Sequence, residues 1–232
     1  MKSIVYLIPS VLDEAASHTI PPYIVDAVKH CTVIFAENER TARRFLKSIC
    51  KEIVIDDYEW FAIHKAEEEQ KNNFKQKIAE GKNIAIISEA GCPGIADPGQ
   101  ILIEVAQQMD AVVKPLVGPS SILLALMASG MNGQQFEFVG YLPIDAAERS
   151  KAIKELEINA QKKHSTQIFI ETPYRNNQLI ETLMKICKPT TRICIAAELT
   201  GSNEFIKTKT VADWKKEKTD FHKKPVIFLL SS

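Results

Sequence analysis

The chain has 232 residues, 45% apolar and 25% charged, with 29 Lys and Arg balancing 29 Asp and Glu. That length holds one large domain or two small ones without staples, and zero net charge excludes a molecule that grips polyanions over its whole surface, leaving only a local basic patch. Five scattered cysteines (31, 50, 92, 187, 194) with no C-x-x-C pair exclude a disulfide framework or zinc knuckle and point to a reducing compartment.

In chain order, short apolar or β-branched runs at 3–8, 32–36, 52–55, 84–87 and 111–116 are predicted strands. The first is too short for a signal peptide core, and Asp13 and Glu14 soon follow. Between the runs lie predicted helices. One starts at Thr19 as N-cap, with Pro21 and Pro22 in its first turn, and runs to about His30. Another covers about 39–50, and a charged one covers about 60–80 with Gly81 placed to end it. Strands alternating with helices, some apolar enough to be buried on both faces, predict a mostly parallel sheet covered by helices.

A helix over 119–129 follows Gly118-Pro119 and stops at Gly130, and "MNGQQ" (131–135) is the linker candidate. Beyond it, strands are predicted at 136–140, 167–171, 192–196, 204–209 and 225–230, and helices at 147–162, 176–187 and 211–217. Some late strands have no helix between them, which predicts antiparallel pairing. The fold class is therefore α/β: two α/β domains, 1–117 with a mostly parallel sheet and 118–232 with a mixed one. No apolar run approaches the roughly 18 residues of a membrane span, so the expected location is cytoplasmic.

There is no G-x-G-x-x-G after the first strand, no G-K-[ST], no H-E-x-x-H and no G-x-S-x-G. The histidines (18, 30, 64, 164, 222) have no ligand spacing, so no metal is expected. The informative stretch is "SEAGCPGIADPG" (88–99), which leaves the carboxyl end of a predicted strand, where open α/β sheets bind ligands. Its glycines permit close backbone approach and its prolines stiffen it. Asp97 is either a ligand contact or the cap of a helix beginning at Pro98. The loop contains Glu89 and Asp97 but no Lys or Arg, which suits a neutral or cationic ligand better than a phosphate.

These residues resemble the tetrapyrrole-methylase family of S-adenosylmethionine (SAM) methyltransferases. The likeness includes "PLVGPSSILLALMASGM" (115–131) and is strongest to the branch that 2′-O-methylates a cytidine of small-subunit ribosomal RNA. That branch reads S-D-A-G-T-P-x-I-S-D-P-G and then P-x-P-G-P-S. "FAENERTARRFL" (35–46), "FVGYLP" (138–143), "IFIETPYR" (168–175) and "AAELTGSNEFI" (196–206) resemble further blocks in the same order. The chain departs from the pattern at Asn38 and Glu39 (Asp-Thr in the branch), Glu89 (Asp), Cys92 (Thr) and Gly201 (Lys), and its first loop keeps only Pro9 of T-P-I-G-N.

The resemblance implies a homodimer that binds SAM in a cleft between two α/β domains. Matched block by block, Pro9, Ser88, Glu89, Ala90, Ile95, Ser120 and Ser121 line its N-terminal side, and Ile170, Glu171, Glu198 and Leu199 its C-terminal side. The alternatives are that Ile95 and Leu199 are ordinary core residues and that Ser120 and Ser121 supply first-turn polar groups to a helix. A ribose hydroxyl benefits from a general base, for which Glu37 is the first candidate and Glu171 the second. Arg40, Arg43, Arg44, Lys47 and Lys51 share one helical face and are either phosphate contacts or a solvated surface. Tyr174 and Arg175 either pair as a stacking and phosphate contact or begin a helix after Pro173. The expected partner is rRNA or the small ribosomal subunit. The alternatives are a small tetrapyrrole or corrin precursor as methyl acceptor, or a SAM-binding protein whose activity has drifted.

Overall fold

A computed structural model describes residues 2–63 and 67–232. His64 and the part of the predicted 60–80 helix at 64–66 lie outside the described residues. The chain divides into two compact units, Met1–Ser120 and Ser121–Ser232.

Unit 1 contains β1 (Ile4–Ile8), α1 (Tyr23–Lys29), β2 (Val33–Ala36), α2 (Glu39–Ile49), β3 (Glu59–Ala62), α3 (Glu67–Ala79), β4 (Ile84–Ile87), α4 (Gln100–Gln108) and β5 (Val112–Pro115). The sheet order is β3-β2-β4-β1-β5, and its four pairings are parallel. The strand alternation sends side chains to two cores. Ile34, Ala36, Ala85 and Ile87 face one, with Ile24 and Val28 of α1 and Phe45 and Leu46 of α2. Val33, Phe35, Ile84 and Ile86 face the other, with Phe74 of α3 and Leu102 and Val105 of α4. β2 and β4 are buried along their whole length because helices cover both faces, which is why VIFA and IAII read as unbroken apolar runs.

Three expectations for this unit are corrected. The run at 52–55 is not a strand: Ile53 plugs the core beside α2, and Ile55–Asp57 form a 3-10 turn. The third strand is Glu59–Ala62, an edge strand with half-buried Trp60 and Phe61 at its centre, so it shows no apolar run. Thr19 does not cap α1; its Oγ1 donates to the Ala16 carbonyl at 2.7 Å, within a 3-10 turn over Ser17–Thr19. Residues before proline are pushed toward extended backbone, Ile20 is extended, and the helix begins only after Pro22. Lys51 lies past the end of α2 and is not on its face.

Unit 2 contains α5 (Ser121–Ser129), β6 (Phe136–Tyr141), α6 (Ala146–Lys163), β7 (Thr166–Ile170), α7 (Asn176–Ile186), β8 (Arg192–Ala197), β9 (Phe205–Thr210), α8 (Val211–Trp214) and β10 (Val226–Ser231). The sheet order is β6-β7-β10-β8-β9; β6 and β7 are parallel and the other pairs antiparallel. Phe169, Phe228, Ile193 and Ile195 pack with Ile153, Leu179, Leu183 and Trp214 to form the core. α5 covers β9 and β10. The architecture is thus two α/β units, the first with a parallel sheet and the second mixed. Among the described residues no helix is long and apolar enough to cross a membrane.

Candidate active site

In unit 1, β1 leads through α1 to β2, which lies beyond β4 in the sheet, while β4 leads through α4 to β5, beyond β1. The connections leave two adjacent strands in opposite directions, the arrangement that places ligands outside the carboxyl ends of those strands. Loops from β1, β4 and β5 meet there. Ser10 exchanges backbone hydrogen bonds with Gly91 (2.8 and 3.2 Å), and its Oγ donates to the Ser88 carbonyl at 2.8 Å. Ser88 is buried, with its Oγ donating to the Ala90 carbonyl at 3.2 Å. From the β5 loop, Gly118 lies so close to Pro9 that a Cβ would overlap the proline ring. The Cys92 thiol approaches the Pro119 carbonyl at 3.6 Å, the position of a weak donor where the resemblance has a threonine hydroxyl.

The carboxylates sit around this loop. Glu37, at the end of β2, is almost fully buried, and its Oε2 accepts the Glu89 backbone N–H at 2.9 Å. Thr41 Oγ1 donates to Glu89 Oε1 at 3.2 Å. Burial, and then the neighbouring Glu37 and Glu89 carboxylates, push the Asp97 carboxyl up to about 6. Ala90 and Ile95 are exposed, Ile95 at 54% despite being apolar, so Ile95 is not a core residue. Pro9 is buried, and Ser120 is half-buried at the end of the unit.

Asp97 is not the cap of α4. The helix starts from Gly99 at φ 122, and its amino end is closed by Glu67, the first residue of α3. Glu67 Oε1 accepts the backbone N–H groups of Gly99, Ile101 and Leu102 at 3.0, 2.8 and 3.2 Å. Sequence reasoning missed Glu67. The acidic run Glu67–Glu69 marks the start of its own helix, but nothing local shows that one member reaches a helix more than thirty residues away.

On α2, Asn38 is the N-cap, its Oδ1 accepting from the Arg40 and Thr41 N–H groups, so the departure from Asp-Thr retains the capping chemistry. The basic face is divided. Arg40 is exposed, Arg44 pairs with Glu14 at 3.1 Å on the surface, and Arg43 lies over the Trp60 ring at 4.8 Å and pairs with Glu39.

Unit 2 gathers its own group. β7 and β8 are both antiparallel to β10, so their carboxyl ends lie on the same side of that sheet. Ile170 ends β7, and the next residue, Glu171, is buried and ion-paired with Arg175 at 2.6 Å. Among the described residues Glu171 Oε2 has no hydrogen-bond partner. After β8 come Glu198 at φ 51, buried Leu199 and Thr200 at φ 68, with Glu198 paired to Lys224 at 2.6 Å. Tyr174 is 69% exposed, flanked by His222 at 5.8 Å and by the Lys223 ammonium at 5.9 Å from its ring. Arg175 therefore belongs with Glu171, while His222 and Lys223 accompany Tyr174. Ser121 opens α5.

The same residues lie within a broader likeness. Residues 18–214 match the family described as Tetrapyrrole (Corrin/Porphyrin) Methylases. Ribosomal RNA small subunit methyltransferase I of Vibrio cholerae is 34% identical over 154 residues, 66% of this chain and 52% of that relative. The protein of the same name from Bacillus subtilis is 31% identical over 209 residues, 88% of this chain and 66% of the relative. The chain thus spans about half the length of the Vibrio cholerae relative. The solved methyltransferase CobJ shares the fold at TM-score 0.65 and 17% identity, covering 100% of this chain and 95% of its own. With the match running across most of both units, the chain belongs to the tetrapyrrole (corrin/porphyrin) methylase family.

Proposed function

We propose that the protein is a SAM-dependent methyltransferase acting on small-subunit ribosomal RNA, at the 2′-hydroxyl of a cytidine. One observation carries the choice of ligand: the switch point gathers Glu89 and Asp97 of the loop with Glu37 from the end of β2, while the amino end of α4, the natural seat for a phosphate, is filled by Glu67. A site so furnished fits a sulfonium and disfavours a phosphate. The choice of acceptor rests on the relatives named as ribosomal RNA small subunit methyltransferase I.

The residues that would hold SAM are Pro9, Ser88, Glu89, Ala90, Ile95 and Ser120 from unit 1 and Ser121, Ile170, Glu171, Glu198 and Leu199 from unit 2. When bound, SAM supplies an electrophilic methyl on a sulfur that is already a leaving group. The protein's tasks are then to align the acceptor hydroxyl and to exclude water. Glu37 would accept the ribose proton, its carboxylate held in orientation by the Glu89 N–H. Glu171, fixed by Arg175, is the second candidate base and would line the C-terminal side. Arg40 and Arg44 would meet phosphates, and Tyr174 a base. A cytoplasmic homodimer completes the proposal.

Calorimetric titration with SAM tests the ligand, and a ribose-methylation map of rRNA from a deletion strain tests the acceptor. Saturable binding and the loss of one small-subunit cytidine 2′-O-methyl are expected. An unchanged map with intact SAM binding would move the acceptor to a small tetrapyrrole precursor or another substrate.

A further inference from the structure

The amino end of an α-helix carries unsatisfied N–H groups and partial positive charge, and in many nucleotide-binding loops a phosphate lies there. In this protein the corresponding end, α4, follows directly on the acidic loop 88–99, and it is closed from within. A single oxygen of Glu67, supplied by a helix on the same face of the sheet, accepts three successive donors, Gly99, Ile101 and Leu102. The loop just before it is folded on itself, with the Gly94 N–H donating to the Pro98 carbonyl at 3.2 Å. Gly99 lies so close to Gly94 that a Cβ there would meet the Gly94 nitrogen at 3.3 Å and Ile86 Cγ2 at 3.2 Å. The trailing end of the loop that carries Glu89 and Asp97 is thus pinned from another element by the Glu67 carboxylate. Its leading end is pinned separately, by Glu37 on Glu89 and by Ser10 on Ser88 and Gly91.

We infer that Glu67 is a positioning and specificity-determining residue for the ligand of this loop. Its carboxylate occupies the anion seat of α4, fixes the loop in its ligand-receiving shape, and leaves a cationic ligand rather than a phosphate as the one the site accepts. Glu67 touches no ligand itself; it acts through the backbone of residues 99–102. This inference rests on the SAM reading, and its test separates the two.

The experiment compares wild type, Glu67→Ala and Glu67→Gln by calorimetric titration with SAM and by amide hydrogen exchange without ligand. Glutamine retains an acceptor oxygen, so Glu67→Gln should stay within about threefold of wild-type affinity, whereas Glu67→Ala should weaken it roughly tenfold, the scale of one lost helix cap. In Glu67→Ala the amides of Gly99, Ile101 and Leu102 should exchange roughly tenfold faster. Unchanged exchange in the β4 amides, Ile84–Ile87, would show that the fold is intact. Glu67→Ala binding SAM as wild type does would overturn the inference alone, as would equal losses in both variants or unaccelerated exchange at the three amides. Wild type failing to bind SAM would overturn the ligand reading and the inference with it.

Discussion

The carboxylate of Glu37 accepts the backbone N–H of Glu89 at 2.9 Å, tying the end of β2 to the loop that leaves β4. If Glu37 is the general base proposed above, it has two separable jobs, holding the loop and taking a proton. Glutamine can do the first through its amide oxygen but not the second. Glu37→Gln should therefore bind SAM within about threefold of wild type while the methylation rate falls by roughly a hundredfold, the lower range for a lost general base. Isothermal titration and single-turnover methylation of an rRNA fragment read the two separately. A rate within about threefold of wild type would confine Glu37 to holding the loop.

Asp97 makes the loop sensitive to pH. Its carboxyl is held at about 6 by burial and by the Glu37 and Glu89 charges, above the ordinary 3.8. Between those values the folded state binds the extra proton, so this group's contribution to stability falls as pH rises and is fully unfavourable above about 6. Asp97→Asn should thus raise stability by about 1–3 kcal/mol at neutral pH and change it little near pH 4, as read by urea unfolding. Binding a cation should run the other way: SAM affinity should rise through pH 6 in the wild type and be flatter in Asp97→Asn. Parallel affinity profiles would remove Asp97 from the ligand's field.

The alternation of strands and helices was legible because β2 and β4 are covered on both faces and so carry unbroken apolar runs. β3 escaped the same reading because an edge strand needs fewer buried side chains, and the more apolar EIVI run beside it packs as a connection. The loop 88–99 announced itself through its glycines, prolines and acids. What ties it down did not, because Glu67, Glu37 and Ser10 act on it from other elements, and a hydrogen bond between residues 52 apart leaves no local pattern. Likewise Tyr174 and Arg175 are neighbours in sequence but have different companions, His222 and Lys223 for one and Glu171 for the other.

That division of labour predicts opposite phenotypes for adjacent residues. Arg175→Ala leaves the buried Glu171 carboxylate without its ion-pair partner and should cost about 1–3 kcal/mol of stability, below the full value of a buried pair because Arg175 is partly exposed. Tyr174→Ala removes an exposed ring and should stay within about 0.5 kcal/mol of wild type. If Tyr174 stacks on an RNA base, it should weaken binding of a single-stranded rRNA fragment by about 1–3 kcal/mol. Urea unfolding and fluorescence anisotropy give both readings. Wild-type RNA affinity in Tyr174→Ala would remove the stacking role.

Thr200 holds a conformation that its chemistry disfavours. At φ 68 a β-branched side chain crowds its own backbone, and its buried Oγ1 has no hydrogen-bond partner among the described residues. Two contacts hold the turn in place: the Glu204 carboxylate accepts the Thr200 N–H at 2.7 Å, and the Glu198 carbonyl accepts the Gly201 N–H at 3.0 Å. Strain retained this close to buried Leu199 and to Glu198 is understandable if it presents those residues to a ligand. Thr200→Gly relieves both the backbone crowding and the orphaned hydroxyl, offset in part by the greater freedom of glycine in the unfolded chain, and should stabilise the protein by about 1 kcal/mol. If the turn serves binding, the relaxed variant should lose SAM affinity while gaining thermal stability. A variant less stable than wild type would show that the Thr200 methyl packs well enough to outweigh the strain, and the turn would then be structural.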